Sequence, residues 1–141
     1  MDKKIIIYCD GGSRGNPGQA ALGVYFPDFE KEYSEHLGIG TNNEAEYQAV
    51  IFGLKKAKQL AGKEKCKDVE IEVRGDSELI IKQLNGEYRI KEERMQKFFI
   101  EVWNMKFDFK KINFVHIPRE QNSRADAMVN KELDSQSKKL F

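Results

Sequence analysis

The segment Lys4-Ile5-Ile6-Ile7-Tyr8-Cys9-Asp10 decides how the rest of the chain is arranged. In an extended chain Ile5, Ile7 and Cys9 share one face and Ile6 and Tyr8 the other, so both faces are apolar. A strand of that kind is covered on both sides and belongs inside a sheet. It ends on an aspartate. Gly11-Gly12-Ser13-Arg14-Gly15-Asn16-Pro17-Gly18 follows and reads as a dense turn segment.

On the far side of that turn, residues 20–26 and 32–39 read as two further strands around Pro27-Asp28, and Pro27 stops the second because it has no N–H for a ladder. An antiparallel meander is predicted. From Asn43 the period changes: Glu46, Val50, Gly53 and Ala57 fall on one side of a helix that runs to about Leu60 and is capped by Asn42 or Asn43. Gly53 costs roughly 1 kcal/mol there against alanine, a cost that close approach of the helix to the sheet would explain. Residues 68–74 alternate as a fourth strand, and Gly75-Asp76-Ser77 turns out of it. Residues 77–84 and 91–105 read as helices, the second covering the core with Met95, Phe98, Phe99, Val102 and Trp103. Residues 111–117 form a fifth strand, after which Asn122 caps a helix containing Ala125, Val129 and Leu133. This order predicts an α/β fold in one domain over 1–141, a mixed five-stranded sheet with an antiparallel three-strand start and helices on both faces.

Composition supports an ordinary globule. Of 141 residues, 40% are apolar and 33% charged, which argues against disorder and against a membrane span as the main reading. The first apolar run ends at Asp10, too short for a secretory segment, so a cytoplasmic location with no membrane partner is expected. Cys9 and Cys66 are read as reduced thiols rather than a staple. With 24 basic against 23 acidic side chains the net charge is +1, so no strong overall field attracts nucleic acid. The placement of the acids therefore matters more than their number.

Asp10 ends the first strand, Glu46 begins the buried face of the first helix, Asp76 follows the fourth strand, and Asp126 lies in the first turn of the last helix. Any one of them alone reads more readily as a cap or a solvated side chain. All four occupy places that can converge at one rim of the sheet. Clustered carboxylates repel one another unless a cation is present, and an all-oxygen set selects hard ions such as Mg²⁺ or Mn²⁺. The two cysteines and two histidines have no zinc-site spacing. Paired divalent ions on carboxylates point to phosphodiester hydrolysis.

The chain resembles a type 1 ribonuclease H through Tyr8-Cys9-Asp10-Gly11-Gly12-Ser13-Arg14-Gly15-Asn16-Pro17-Gly18, Thr41-Asn42-Asn43-Glu44-Ala45-Glu46, Gly75-Asp76-Ser77 and Asn122-Ser123-Arg124-Ala125-Asp126. These motifs span nearly the whole chain in family order. The resemblance implies hydrolysis of the RNA strand of an RNA/DNA hybrid, leaving 3′-hydroxyl and 5′-phosphate ends. It makes Asp10, Glu46, Asp76 and Asp126 the ligands of two Mg²⁺ ions, with Mn²⁺ as substitute. It also implies that Gly11, Gly12, Ser13, Asn42 and Asn43 meet the minor groove, where 2′-hydroxyls distinguish ribose, and that Asn16 and Thr41 hold the DNA strand. Glu78 stands where many relatives carry glutamine, so it accepts from a ribose hydroxyl but cannot donate.

His116 lies ten residues before Asp126, the spacing of the family's loop histidine, which implies a catalytic role in proton movement or product release. The shorter His116-Ile117-Pro118-Arg119-Glu120 loop leaves open that His116 belongs to the strand end, with Glu120 as an alternative acid. The basic helical insertion of the bacterial form is absent, since only Asn85-Gly86-Glu87-Tyr88-Arg89-Ile90-Lys91 separates the two helices. Affinity then rests on Arg89 and Lys91, or on an accessory nucleic-acid-binding protein, and a monomer is expected. Two alternatives share these residues: a catalytically weak or inactive module that binds hybrid or structured RNA, and a nuclease of the same fold with another duplex preference.

Overall fold

The computed structural model describes residues 3–139; the ends of the 1–141 span lie outside the described residues. Five strands form one mixed sheet: β1 (Lys3–Gly15), β2 (Gly18–Phe26), β3 (Lys31–Gly40), β4 (Val69–Gly75) and β5 (Lys111–His116), in the order β3-β2-β1-β4-β5. The first three are antiparallel, whereas β4 runs parallel to β1 and β5 parallel to β4. Helices α1 (Asn42–Ala61), α2 (Glu78–Leu84), α3 (Glu93–Met105) and α4 (Ser123–Lys139) complete the fold. This is the α/β architecture expected from the element order.

Strand β1 is central, and its alternation explains the two layers. Ile5, Ile7 and Cys9 are buried on the α1 face with Leu22, Val24, Phe26, Val50, Leu54, Ile71 and Val73. Each fully buried aliphatic side chain of this kind contributes about 1.5–3 kcal/mol. On the opposite face Ala21 packs with Val129 and Leu133 of α4. Gly53 meets its expected purpose: a β-carbon there would stand 3.1 Å from Ile7 Cγ2 and 3.3 Å from Cys9 Sγ.

Three local readings change. Residues 11–15 are strand rather than turn, because they pair with β2 from Gly11–Leu22 to Gly15–Gly18, and only the tip around Asn16-Pro17 reverses direction. Helix α1 is capped by Thr41, not by an asparagine. The Thr41 hydroxyl accepts from Glu44 N at 3.1 Å and the Glu44 carboxylate accepts from Thr41 N at 3.2 Å, a reciprocal capping box. Trp103 is 46% exposed and stacks edge-on with Phe107, itself 71% exposed, so the core-facing stripe of α3 is narrower than expected and centres on Met95 and Val102. Among the described residues no helix is long and apolar enough to cross a membrane.

Candidate active site

Two glycines seat the helices that carry acids against the sheet. A β-carbon on Gly11 would collide with the Ala45 backbone and lie 2.5 Å from Glu46 N, so β1 and α1 touch where Asp10 and Glu46 sit. A β-carbon on Gly23 would collide with the Ala125 carbonyl, so α4 touches β2 one residue before Asp126. Gly23 is the register partner of Asp10. The acids of α1 and α4 are thus brought to Asp10 from opposite faces of the sheet.

Asp76 arrives from the parallel half. The β1–β4 ladder ends at the Tyr8–Arg74 pair, and Asp76 follows Gly75 beyond it. Asp10, Glu46, Asp76 and Asp126 line one cleft of about 360 Å³, together with Gly11, Gly12, Ser13, Arg14, Asn42, Arg119 and Asn130. It opens at the carboxyl ends of parallel strands, where the strand order reverses, the usual ligand position in open α/β sheets.

The electrostatics of the cleft are those of crowded acids. Burial, then the charges of Asp76 and Asp126, a hydrogen bond with Asp126 and the charge of Glu46, push Asp10 up to about 8. Burial pushes Glu46 up to about 7; the Ser77 hydrogen bond and Arg119 pull the other way and Asp76 adds to the rise. Glu46 Oε2 is buried with no hydrogen-bond partner. Among the described residues no three acidic, histidine or cysteine side chains form a preassembled cation cage. The donor set nevertheless fits a hard divalent ion: oxygen ligands only, one of them orphaned, and a shortage of positive charge that burial makes costly.

Three of the expected substrate contacts, Ser13, Asn16 and Asn42, form a connected wall beside the acids. Asn42 Oδ1 accepts from Ser13 N at 2.9 Å and from Ser13 Oγ at 3.3 Å, and Asn42 N donates to Asn16 Oδ1 at 3.0 Å. Thr41 caps the same helix end. Asn43 follows in the first turn of α1, outside the residues that line the cleft. Glu78 is also outside that lining, exposed and paired with Lys82 at 2.8 Å, which holds its carboxyl below the usual range. His116 ends β5 at the rim, its Nε2 3.3 Å from the Asp76 carbonyl, and Glu120 is exposed in the short 3-10 turn Arg119–Gln121.

Asn122 has a larger part than a cap. It is 1% exposed, and its Nδ2 donates to Asp76 Oδ2 at 2.8 Å and to the Cys9 carbonyl at 2.9 Å. Its position four residues before Asp126 is the only mark of this in the sequence. Arg119 also lines the cleft, and its positive charge pulls the Glu46 carboxyl down.

The family model described as "Reverse transcriptase-like" matches residues 9–132. Ribonuclease HI of Halobacterium salinarum is 35% identical over 135 residues, covering 93% of this chain and 65% of that protein. The crystal structure of LC11-RNase H1 in complex with RNA/DNA hybrid superposes with a TM-score of 0.87 at 43% identity, covering 94% of this chain and 98% of that one. The chain belongs to the type 1 ribonuclease H family. The bifunctional protein Rv2228c of Mycobacterium tuberculosis is 34% identical over 137 residues, 94% of this chain but 36% of that protein. The chain thus spans about a third of the mycobacterial relative. Within the ribonuclease H family it resembles the branch without a basic protrusion, since residues 85–92 alone join α2 to α3.

Proposed function

We propose that the chain is a divalent-metal-dependent endonuclease that hydrolyses the RNA strand of RNA/DNA hybrids and leaves 3′-hydroxyl and 5′-phosphate ends. The observation that carries this reading is the meeting of Asp10, Glu46, Asp76 and Asp126, from different parts of a ribonuclease H fold, at one cleft. Mg²⁺ is the favoured ion and Mn²⁺ its substitute, because both take carboxylate oxygens. Two such ions would activate the attacking water and stabilise the leaving oxygen of an in-line displacement. The four acids supply the ligand oxygens, and Glu46 Oε2 and Asp10 gain most from added positive charge.

Selection of the RNA strand falls to the wall beside them. The Ser13 hydroxyl and the Asn42 side chain put groups at the cleft edge that can recognise a ribose hydroxyl. Asn16, bonded to Asn42 N, and the cap Thr41 lie next to this wall and hold the DNA strand. The short 85–92 linker offers Arg89 and Lys91, so affinity is modest and an accessory nucleic-acid-binding protein would raise it. The chain works as a monomer.

Side-by-side digestion of a hybrid, double-stranded RNA, double-stranded DNA and a duplex with one ribonucleotide, with Mg²⁺ or Mn²⁺, tests this. Preferential cutting of the hybrid's RNA strand is expected. Preference for another duplex would make the chain a nuclease of different range, and hybrid binding without cleavage would make it a binding module.

A further inference from the structure

Asn122 stands where three acid-bearing segments meet. Its Nδ2 reaches Asp76, 46 residues back in sequence, and Cys9, 113 residues back, while Asp126 N donates to the Asn122 carbonyl at 3.0 Å. The β1–β4 ladder has ended at Tyr8–Arg74, so Cys9 lies just beyond the last paired residue, and the amide of Asn122 serves its carbonyl there. The amide cannot be turned round, because a flipped Oδ1 would face a carbonyl and a carboxylate, both acceptors. In the observed orientation Oδ1 is buried without a partner. What the amide supplies is its two donor bonds, one to a carboxylate and one to a carbonyl from distant segments of the chain.

We infer that Asn122 is a positioning residue for the metal-binding acids, fixing the Asp76 carboxylate and tying to it the strand before Asp10 and the helix start that carries Asp126. The inference rests on the metal reading of the cleft. A neutral donor suits the task. A lysine or arginine would neutralise Asp76 and compete with a cation, and an aspartate would add a further negative charge and lose both donor bonds.

The test is calorimetric titration of Mn²⁺, without nucleic acid, into the wild type and into Asn122→Ala, each checked for folding by circular dichroism. The variant's Kd is expected to rise about 10–100-fold, the usual consequence of losing a group that orients a metal ligand. Its cleavage of hybrid should recover as Mn²⁺ is raised, which a packing defect would not do. A folded variant with the wild-type Kd overturns the inference alone, whereas a wild type that binds no Mn²⁺ overturns the metal reading and the inference together. If Asn122→Ala does not fold, the side-chain amide protons of Asn122 in the wild type decide by NMR. Slow exchange and a shift on adding Mg²⁺ support the inference; fast exchange with no shift overturns it.

Discussion

Gly11 of β1 lies so close to the Ala45 backbone of α1 that no β-carbon fits between them. This contact, rather than a turn, is what the glycine serves, and it sets Glu46 beside Asp10. Gly11→Ala should force strand and helix apart and destabilise the protein by about 1–3 kcal/mol, the usual range for overpacking. Denaturant melts check the stability. Hybrid cleavage by the folded variant should show a lowered kcat, since Glu46 is displaced.

The crowded acids make stability depend on pH in the metal-free protein. Asp10 moves from its ordinary 3.8 to about 8 and Glu46 from 4.5 to about 7. Between those values the unfolded chain has ionised while the folded one still holds its protons, so stability falls as pH rises. The contribution is whole below the ordinary values and gone above about pH 8. Thermal melts in a chelator should therefore show Tm falling as pH rises from about 4 to about 8, and the drop should shrink in Asp10→Asn. Mg²⁺ should raise Tm more at the upper end, where its ligands have lost their protons.

Trp103 is a surface residue in an aromatic pair. Burial in the core would make Trp103→Ala cost about 3–5 kcal/mol. Its exposed pairing with Phe107 instead predicts a loss of about 1 kcal/mol in chemical denaturation, with unchanged cleavage.

His116 faces the Asp76 carbonyl from the rim of the cleft. A general acid or base in the reaction contributes about 10²–10⁴-fold to the rate. A rim position predicts that His116→Ala lowers kcat by less than about 10²-fold, where Asp76→Asn should abolish cleavage. Single-turnover rates for the two variants decide it.

The strands and helices were legible where period carried them, as in Ile5, Ile7 and Cys9 or Val69, Ile71 and Val73, because burial on alternate faces needs that pattern. The strand through Gly11 to Gly15 was not, since local chemistry there favours a turn and only pairing with β2 extends it. Thr41-Asn42-Asn43-Glu44 offers three residues suited to capping, and the reciprocal bond to Glu44 selects Thr41. The stripe on α3 shows which residues are apolar but not how far the sheet reaches across them, which is why Trp103 read as core. The four acids could be read by their places at element ends. The junction at Asn122 could not, because its partners are distant in sequence and the residue type alone describes a cap.

A hybrid with an end-labelled RNA strand, incubated with the purified protein and Mg²⁺ or Mn²⁺, tests whether the cleft performs phosphodiester hydrolysis. The wild type should shorten the RNA strand to products ending in a 3′-hydroxyl, leave the DNA strand intact, and lose this activity in a folded Asp10→Asn variant. A folded wild type that leaves the RNA whole with both ions, or an Asp10→Asn variant that cuts at the wild-type rate, would contradict the account.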